Sequence, residues 1–392
     1  MEIGDRDRGE TLFVGTEPGR GEWTRPLGPV GGNMLFAIIM AGGSGTRFWP
    51  KSRRDRPKQL PTLHGDATML QQTVARIAPL VPLDRVLIVT GADQAEATRA
   101  QLPDLPAENV IAEPCPRDTA PCVGLAAQIV ARRDPEATMV VMPADHVIQP
   151  AESFLAAVNA SLAVIEADPS SLVTFGVKPT RPETGYGYIE RGELVDTIDG
   201  IAVHRVVQFR EKPDRETAER FLESGGFAWN AGIFLWRART ILDEIQRHRP
   251  GLGEALDRVG AAWDTPDWTD VLNREFPKME RTPIDRAVME KAANVKVLEV
   301  LYDWNDVGDW RALQALVPPD ESGNTIQGNV LPTETTNSIL VSDDGGLIAT
   351  LGLDDVVVIQ SGKATLVARK DQLDKLKALV ESLGERGLGS YL

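Results

Sequence analysis

Apolar runs alternate with amphipathic stretches along most of the chain. Short, continuous apolar runs bounded by Gly, Pro or polar residues are typical of strands buried on both faces of a sheet. They predict strands at 35–41, 85–90, 138–142, 172–177, 203–209, 231–236 and 295–301. Between them, apolar positions with a helical period predict helices at 67–80, 93–102, 119–133, 151–167, 214–224, 238–247 and 284–292. This alternation favours an α/β fold with a mainly parallel sheet, helices on both faces and ligands at the carboxyl ends of the strands.

Both ends of the chain differ from this pattern. Residues 1–33 are rich in Gly and charged residues without a sustained period, which predicts a flexible N-terminal extension. After about residue 311, Gly and Pro separate short β-rich pieces at 338–341, 347–350 and 356–360, and a helix is predicted at 371–383. The sequence therefore predicts an extension at 1–33, an α/β domain at 34–315 and a small C-terminal β domain at 316–392. Asp93 and Glu96 have capping-box spacing at the start of the second helix.

A Gly-rich segment, MAGGSGTRFWPKS at 40–52, directly follows the first strand. Glycines allow backbone N–H groups to converge on an anion, and Arg47, Lys51 and Lys58 add the charge that a polyphosphate needs. The dinucleotide fingerprint GxGxxG is excluded because Phe48 stands in place of its third glycine, and no GK[ST] follows to make a Walker A loop. The alternative is a tight turn that merely requires glycine.

Two carboxylates are candidate ligands of a hard cation. Asp145 ends the apolar run MVVMP, so its side chain is expected at the carboxyl edge of the sheet, where Mg²⁺ bridging phosphates would lie. Asp306, in the aromatic-flanked segment WNDVGDW, is the candidate second carboxylate. An Asp at a strand end is also a common cap or turn residue, and His146 is a weaker candidate still.

Composition narrows the classes of function. The chain has 57 acidic and 42 basic residues, a formal charge of −15, so no global field attracts it to nucleic acid or to an anionic membrane. Cys115 and Cys122 are the only cysteines, which argues against a disulfide framework or a Cys-type zinc site. With neither a signal peptide nor a membrane span in the sequence, a cytoplasmic location is expected.

The motifs taken together resemble the sugar-1-phosphate nucleotidyltransferase family, and within it the mannose-1-phosphate guanylyltransferases. The resemblance extends from residue 34 to about residue 384. It implies a Rossmann-like sheet and a short left-handed β-helix at the C-terminus. The matching segments, in the family's order, are AGGSGTRFWPKS (41–52), RPKQ (56–59), EPCPRDTAP (113–121), MPADH (142–146), FGVKPTRPETGYGYI (175–189), EKP (211–213), WNAGIFLW (229–236), PIDRAVMEK (283–291) and DWNDVGDW (303–310).

The family's reaction would join GTP and mannose 1-phosphate, expelling pyrophosphate. By this resemblance Arg47 and Lys58 are catalytic groups that neutralise phosphate charge, and Asp145 with Asp306 holds Mg²⁺. Such transfers depend on positioning and charge neutralisation more than on covalent help from the protein. The nucleotide-binding residues implied by the motifs are Ala41, Gly42, Gly43, Ser44, Gly45, Thr46, Asp118, Thr119 and Asp145.

The resemblance also implies a binding site for the sugar phosphate. Its candidate residues are Gly176, Gly187, Glu211, Lys212, Asn230 and Asp285. Asp285 is interpreted either as a sugar-site carboxylate or as a helix N-terminal charge. The sequence departs from the family at Asp118, where Asn is usual, and at Arg286, where Tyr is common.

Other interpretations remain open at this point. A nucleotidyltransferase using another NTP or hexose 1-phosphate, for example a glucose-1-phosphate uridylyl- or adenylyltransferase, is the alternative that Asp118 supports. A catalytically silent sugar-nucleotide sensor is the third hypothesis, and the missing third glycine makes a dehydrogenase the poorest fit. The length leaves no room for the isomerase domain of long family members, so a monofunctional enzyme is expected, with the β domain available for homodimer contacts.

Overall fold

The computed structural model describes residues 34–43, 45–53, 56–63 and 65–392. The predicted extension at 1–33 and the candidate residue Ser44 lie outside the described residues. Within them, no helix combines the length and the apolar character needed to cross a bilayer.

The strands of the N-terminal part form one nine-stranded sheet and a separate two-stranded pair. Every strand predicted in this region is present. In chain order the strands are β1 (Leu35–Met40), β2 (Val86–Gly91), β3 (Val110–Glu113), β4 (Thr138–Pro143), β5 (Val147–Gln149), β6 (Leu172–Val177), β7 (Gly187–Ile198), β8 (Ile201–Glu211), β9 (Phe227–Arg237), β10 (Val295–Glu299) and β11 (Asp303–Asn305).

The helices pack on both faces of the sheet, burying two large apolar clusters, one on each side. They are α1 (Met69–Ile77), α2 (Ala95–Gln101), α3 (Thr119–Arg133), α4 (Ala151–Ala167), α5 (Arg215–Ser224), α6 (Ala238–His248), α7 (Pro250–Ala262), α8 (Trp268–Glu275) and α9 (Leu313–Leu316).

The large sheet has the order β3-β2-β1-β4-β9-β6-β10-β8-β7. β3, β2, β1 and β4 are parallel, and β9 then runs antiparallel to both β4 and β6. The α/β fold class is confirmed, with a mixed sheet whose parallel half carries the Gly-rich segment. Because the carboxyl ends of β1 and β4 meet at one edge, the residues that follow Met40 and Pro143 are neighbours in space.

Two local predictions are wrong. The proposed capping box at Asp93 and Glu96 is absent, because α2 begins after Gln94, which makes no side-chain capping bond. The capping box in the structure belongs instead to α1, where Thr68 and Gln71 exchange hydrogen bonds. The helix predicted at 284–292 is a short π-helix, Asp285–Met289, and not an α-helix.

The C-terminal part is a stack of short parallel strands followed by a helix. The strands are β12 (Thr325–Gln327), β13 (Val330–Thr333), β14 (Ile339–Ser342), β15 (Ile348–Leu351), β16 (Val356–Ser361) and β17 (Ala364–Arg369), and the helix is α10 (Leu376–Glu385), preceded by a 3-10 segment, Lys370–Lys375. β12, β14 and β16 pair in parallel, as do β13 and β15, and β17 closes the stack antiparallel to β16.

The C-terminal strands and α10 share a buried cluster with the end of the Gly-rich segment. Phe48 and Trp49 pack with Trp310, Leu376 and Val380 in this cluster. The boundary expected between residues 315 and 316 therefore crosses a continuous apolar contact, and the division into domains at 34–315 and 316–392 stays a prediction.

Candidate active site

Hydrogen bonds from polar side chains hold the backbone of the Gly-rich segment in place. Gln59 Nε2 and Thr90 Oγ1 donate to the carbonyl of Ala41 at 2.5 and 3.0 Å, and Gln94 Nε2 donates to the carbonyl of Gly43 at 3.3 Å. Gly42 and Gly43 are exposed, and none of the described residues accepts a hydrogen bond from their amides. Exposed N–H groups on a fixed backbone are suited to an anion.

Gly45 is required by the close passage of the segment that carries Lys58. Its φ is +58°, and a Cβ placed there would lie 2.5 Å from the backbone nitrogen of Lys58. Any side chain at residue 45 would therefore displace Lys58. The structure thus explains why the RPKQ and AGGSGTR motifs occur together.

Lys58 lies at the centre of the candidate site. Its ammonium group is 2.9 Å from Asp145 Oδ2 and donates to the carbonyl of Asp306 at 2.8 Å, above the ring of Phe48. Burial by itself would raise the pKa of Asp145, but the charges of Lys58 and His146 and several hydrogen bonds lower it below its usual value. Asp145 is therefore an ionised carboxylate near neutral pH.

Strand pairing explains why Asp145 and Asp306, far apart in sequence, meet at Lys58. β5 begins two residues after Asp145, and β11 ends one residue before Asp306. These strands pair antiparallel with Asn305 opposite Val147, so the two Asp residues leave the ladder at the same end.

A cavity of about 390 Å³ opens beside Lys58. Its lining brings together residues that the sequence singled out and adds others from distant parts of the chain. The lining residues are Gly45, Thr46, Arg47, Phe48, Lys58, Asp145, His146, Asp306, Gly308 and Lys377.

Arg47 is exposed and connects this cavity to a second one. The larger cavity, about 850 Å³, is lined by Arg47, Asp306, Tyr186 and Arg181 among others.

His146 accepts a hydrogen bond at Nδ1 from Trp304 Nε1 at 3.2 Å, and burial lowers its pKa. The Nδ1 lone pair of His146 is therefore already engaged by the indole of Trp304.

Tyr186 is a functional candidate that sequence reasoning missed. Its hydroxyl donates to Asp306 Oδ1 at 2.7 Å, and its ring packs edge-on against Trp229 and Trp304. Burial and the neighbouring charge of Asp306 raise the pKa of the tyrosine well above its usual value. The sequence signal for it is its place between two glycines in the motif ETGYGYI.

A second cluster contains most of the candidate sugar-site residues, and we call Gly187, Glu211, Lys212, Asn230 and Asp285 the hexose cluster. Lys212 Nζ lies 2.8 Å from Glu211 Oε1, and Asn230 Nδ2 donates to Asp285 Oδ1 at 2.9 Å. A Cβ on Gly187 would lie 2.7 Å from Glu211 Oε2 and 3.3 Å from Asn230 Cβ, so glycine allows these side chains to converge.

The pKa of Asp285 is shifted in this cluster. Burial, reinforced by the charge of Glu211, raises its pKa to about 7. The cluster therefore offers carboxylate, ammonium and amide groups, which are the donors and acceptors that recognise sugar hydroxyls and a phosphate.

Tyr186 joins the hexose cluster to the cavity beside Lys58. Its side chain binds Asp306, and its carbonyl accepts a hydrogen bond from the amide of Lys212 at 3.1 Å. Gly176, the remaining sugar-site candidate, is enclosed by packing, since a Cβ there would lie 2.7 Å from Val297 Cγ2 and 2.8 Å from Ala228 Cβ.

The loop that contains Asp118 and Thr119 docks elsewhere. Asp118 is exposed with φ at +69° and accepts a hydrogen bond from the amide of Thr119 at 3.0 Å, capping α3. Thr119 Oγ1 accepts from the amide of Ile284 at 2.8 Å. The structure thus brings this loop to the segment before Asp285 and not into the lining of the cavity beside Lys58.

Comparison with known proteins agrees with this geometry. Residues 36–322 match the nucleotidyl transferase family model, and residues 328–383 match the MannoseP isomerase/GMP-like beta-helix domain. The chain therefore belongs to the nucleotidyl transferase family.

Comparison with individual proteins points to a narrower group than the family model does. A mannose-1-phosphate guanylyltransferase of Escherichia coli strain K12 is 38% identical over 359 residues, which cover 90% of this chain and 74% of that protein. One from Klebsiella pneumoniae is 37% identical over 361 residues, covering 91% and 76%. A solved structure from Thermus thermophilus, described as a mannose-1-phosphate geranyltransferase, has 33% identity and a TM-score of 0.78, covering 89% of this chain and 99% of that chain. The resemblance indicated by the motifs is confirmed.

Proposed function

We propose that this protein transfers a guanylyl group from GTP to mannose 1-phosphate. A phosphate oxygen of the sugar phosphate forms a bond to the α-phosphorus of GTP, the bond from that phosphorus to the oxygen bridging to the β-phosphorus breaks, and pyrophosphate leaves. GDP-mannose is the other product. The observation that carries the proposal is Lys58, whose ammonium joins Asp145 to the Asp306 backbone beside a Gly-rich segment. The names of the relatives support the choice of GTP and mannose.

The nucleotide phosphates are assigned to the Gly-rich segment. In this assignment the exposed amides of Gly42 and Gly43 bind phosphate oxygens, while Arg47 and Lys58 offset the charge that builds up as pyrophosphate departs. Ala41, Gly45 and Thr46 shape the same loop. In a chain of formal charge −15, this local cationic pocket is what holds a polyphosphate.

Asp145 and Asp306 are the proposed ligands of Mg²⁺. Within the described residues no group of three or more His, Cys, Asp or Glu side chains forms a metal cage. Mg²⁺ in phosphoryl-transfer sites is commonly held by one or two carboxylates together with substrate phosphates and water, so this pair fits the ion. When bound, Mg²⁺ neutralises phosphate charge and orients the reacting groups.

The attacking group needs no general base. A sugar phosphate is largely ionised at neutral pH, since its second pKa is about 6. The described residues that line the cavity include no Ser-His pair, and the proposed chemistry requires none. Positioning and charge neutralisation supply the rate.

The hexose cluster is the proposed site for the sugar. Glu211 would accept hydrogen bonds from hydroxyl groups, Lys212 would meet the sugar phosphate, and Asn230 and Asp285 would fix the remaining hydroxyls, with Gly187 giving the side chains room to converge. Gly176 is enclosed by packing and is given no contact with the sugar. Asp118 and Thr119 are proposed to contact guanine. A carboxylate at Asp118 accepts from the N1–H and N2–H₂ donors of that base.

The decisive experiment is pyrophosphate release across a matrix of substrates. GTP, ATP, UTP, CTP and dTTP are each combined with mannose 1-phosphate and glucose 1-phosphate, with and without Mg²⁺, and the Asp145→Asn variant serves as the matched control. Release confined to GTP, mannose 1-phosphate and Mg²⁺ is expected. Preference for another pair would overturn the choice of base or sugar and favour the alternative nucleotidyltransferase, and no release from any pair would favour a sensor.

A further inference from the structure

The C-terminal helix α10 supplies one wall of the cavity beside Lys58. Lys377, one residue after the start of α10, lines this cavity together with Gly45, Thr46 and Arg47. The sequence assigned the C-terminal β domain no part in the chemistry. The structure places one of its cations next to the candidate phosphate site.

We propose that Lys377 binds the β- and γ-phosphates of the nucleotide and the pyrophosphate that they become. This inference rests on the proposed nucleotidyl transfer and adds a binding residue to it from the C-terminal domain.

The charges of the cavity show why a further cation is needed. Among the described lining residues, the fixed cations are Arg47, Lys58 and Lys377, against the carboxylates Asp145 and Asp306. Lys58 is already engaged, with its ammonium at 2.9 Å from Asp145 and 2.8 Å from the carbonyl of Asp306. Because Lys58 shares its charge with Asp145, offsetting a triphosphate depends on Arg47 and Lys377 as well as on Lys58.

Lys377 is able to take a new partner. Its side chain is 65% exposed, and its ion pair with Glu381 is long, at 3.8 Å. An exposed pair of this kind contributes little, so exchanging Glu381 for a phosphate is favourable.

The segment that carries Lys377 is anchored at two places. Leu376 and Val380 are buried with Phe48 and Trp49. In the 3-10 segment before α10, Asp374 accepts a hydrogen bond from Arg311 at 2.6 Å. The backbone of Lys377 is therefore held against the Gly-rich segment, and only its flexible side chain must move to meet a ligand.

The location also indicates which phosphate it meets. The lining of the cavity shared by Lys377 and the Gly-rich segment includes none of the hexose-cluster residues. Lys377 is therefore assigned to the nucleotide phosphates and not to the phosphate of the sugar.

The test compares Lys377→Gln with Lys375→Gln, a change of an exposed lysine on the same segment that does not line the cavity. Pyrophosphate binding is measured by titration calorimetry, and KM is measured separately for GTP and for mannose 1-phosphate. We expect Lys377→Gln to raise the Kd for pyrophosphate and the KM for GTP about tenfold, the usual effect of losing a hydrogen bond to a charged group, with KM for mannose 1-phosphate unchanged. Lys375→Gln should match the wild type.

Two further variants separate charge from structure. Lys377→Arg should restore most of the affinity, and Glu381→Gln should tighten pyrophosphate binding by freeing Lys377. An unchanged pyrophosphate Kd in Lys377→Gln would overturn the inference, as would an equal loss in Lys375→Gln. Because pyrophosphate is released in every nucleotidyl transfer, the calorimetric result stands even if GTP or mannose 1-phosphate proves to be the wrong substrate.

Discussion

The hydroxyl of Tyr186 donates a 2.7 Å hydrogen bond to Asp306 Oδ1, one of the two carboxylates beside Lys58. This bond fixes the rotation of the carboxylate before any ligand arrives. We expect Tyr186→Phe to raise the Mg²⁺ concentration for half-maximal activity about 10-fold, because the variant loses the hydrogen bond that orients Asp306, a proposed Mg²⁺ ligand. Pyrophosphate release is measured as a function of Mg²⁺ concentration. Direct measurement of Mn²⁺ binding to both proteins supports the result.

Tyr188 provides the matched control for that prediction. It is fully buried, and its hydroxyl has no hydrogen-bond partner among the described residues. Tyr188→Phe removes the same atom without touching Asp306 and should leave the Mg²⁺ midpoint unchanged. Equal shifts in both variants would show that Tyr186 acts only through packing.

Arg47 and Asp145 should be required for turnover and not for folding. Arg47 is exposed and Asp145 is at the cavity wall, so neither supports the core. We expect Arg47→Ala and Asp145→Asn to lower kcat by about 100-fold or more, as removal of a group that stabilises developing charge does. Rates are measured at saturating Mg²⁺ alongside thermal unfolding. A rate similar to that of the wild type in either variant would contradict the role assigned to that residue.

Gly45→Ala should damage the site through Lys58. The φ of Gly45 is +58°, and the new Cβ would lie 2.5 Å from the backbone nitrogen of Lys58. The Gly-rich segment and the segment that carries Lys58 must therefore separate. A cost of about 2 kcal/mol in the free energy of unfolding is expected. Gly42→Ala is the control, because a Cβ at Gly42 meets no atom within 4 Å. Denaturant titration measures the free energy of unfolding of both variants. Equal losses of stability would show that the close contact between Gly45 and Lys58 does not set the cost.

Lys51 and Asp343 should couple the Gly-rich segment to the C-terminal domain. Their side chains form a 2.6 Å ion pair and are only 9% and 18% exposed. Lys51→Met leaves the carboxylate of Asp343 without an opposite charge, with only the hydrogen bond from Ser361 Oγ remaining, and should cost about 3 kcal/mol of stability. The double variant with Asp343→Leu should recover part of that loss. Additive losses in a double-mutant cycle would mean that the pair contributes no coupling.

Glu113 should make stability depend on pH. Burial raises its pKa from 4.5 to about 7, with Cys122 as its hydrogen-bond partner. The folded state therefore keeps the proton up to about pH 7, while the unfolded state loses it near 4.5. Stability attributable to Glu113 consequently falls as pH rises through this window, by about 3 kcal/mol in total.

Glu113→Gln tests this dependence. The variant cannot ionise, so its stability relative to the wild type should increase between pH 4.5 and 7 and then level off. Denaturant unfolding at a series of pH values measures the difference, and Glu96→Gln, on the exposed face of α2, serves as the control. A constant difference across the range would refute the buried-proton interpretation.

The elements that were predictable from the sequence are those with strong apolar runs. β1, β4 and β6 are buried almost throughout, and continuous apolar residues identify them. β7 was missed because its outer half is exposed and mixes polar with apolar residues, so it shows no continuous apolar run. α7 was missed because glycines interrupt it, yet Gly253 and Gly260 are needed where α7 packs closely against Gln246 and Gln128. Tertiary packing thus outweighed local helix propensity.

Site residues close together in sequence were easier to find than those brought together by folding. Arg47, Lys58 and Asp145 stand in or beside recognisable motifs. Lys377 does not, because only the packing of α10 on Phe48 and Trp49 brings it to the cavity. Nothing local in the segment around Lys377 distinguishes it from any exposed lysine on a helix, so a three-dimensional structure was needed.

The packing of Trp49 also bears on the order in which the protein folds during synthesis. Its indole Nε1 donates to the carbonyl of Tyr391 at 2.7 Å, across 342 residues of sequence. On the ribosome, the Gly-rich segment emerges long before α10 and Tyr391. Domains commonly fold as they leave the ribosome, but this contact must wait until residue 391 has been released. A nascent chain that has not reached α10 would hold the Gly-rich segment with an open apolar flank, so the wall of the cavity beside Lys58 is completed only after α10 has been made.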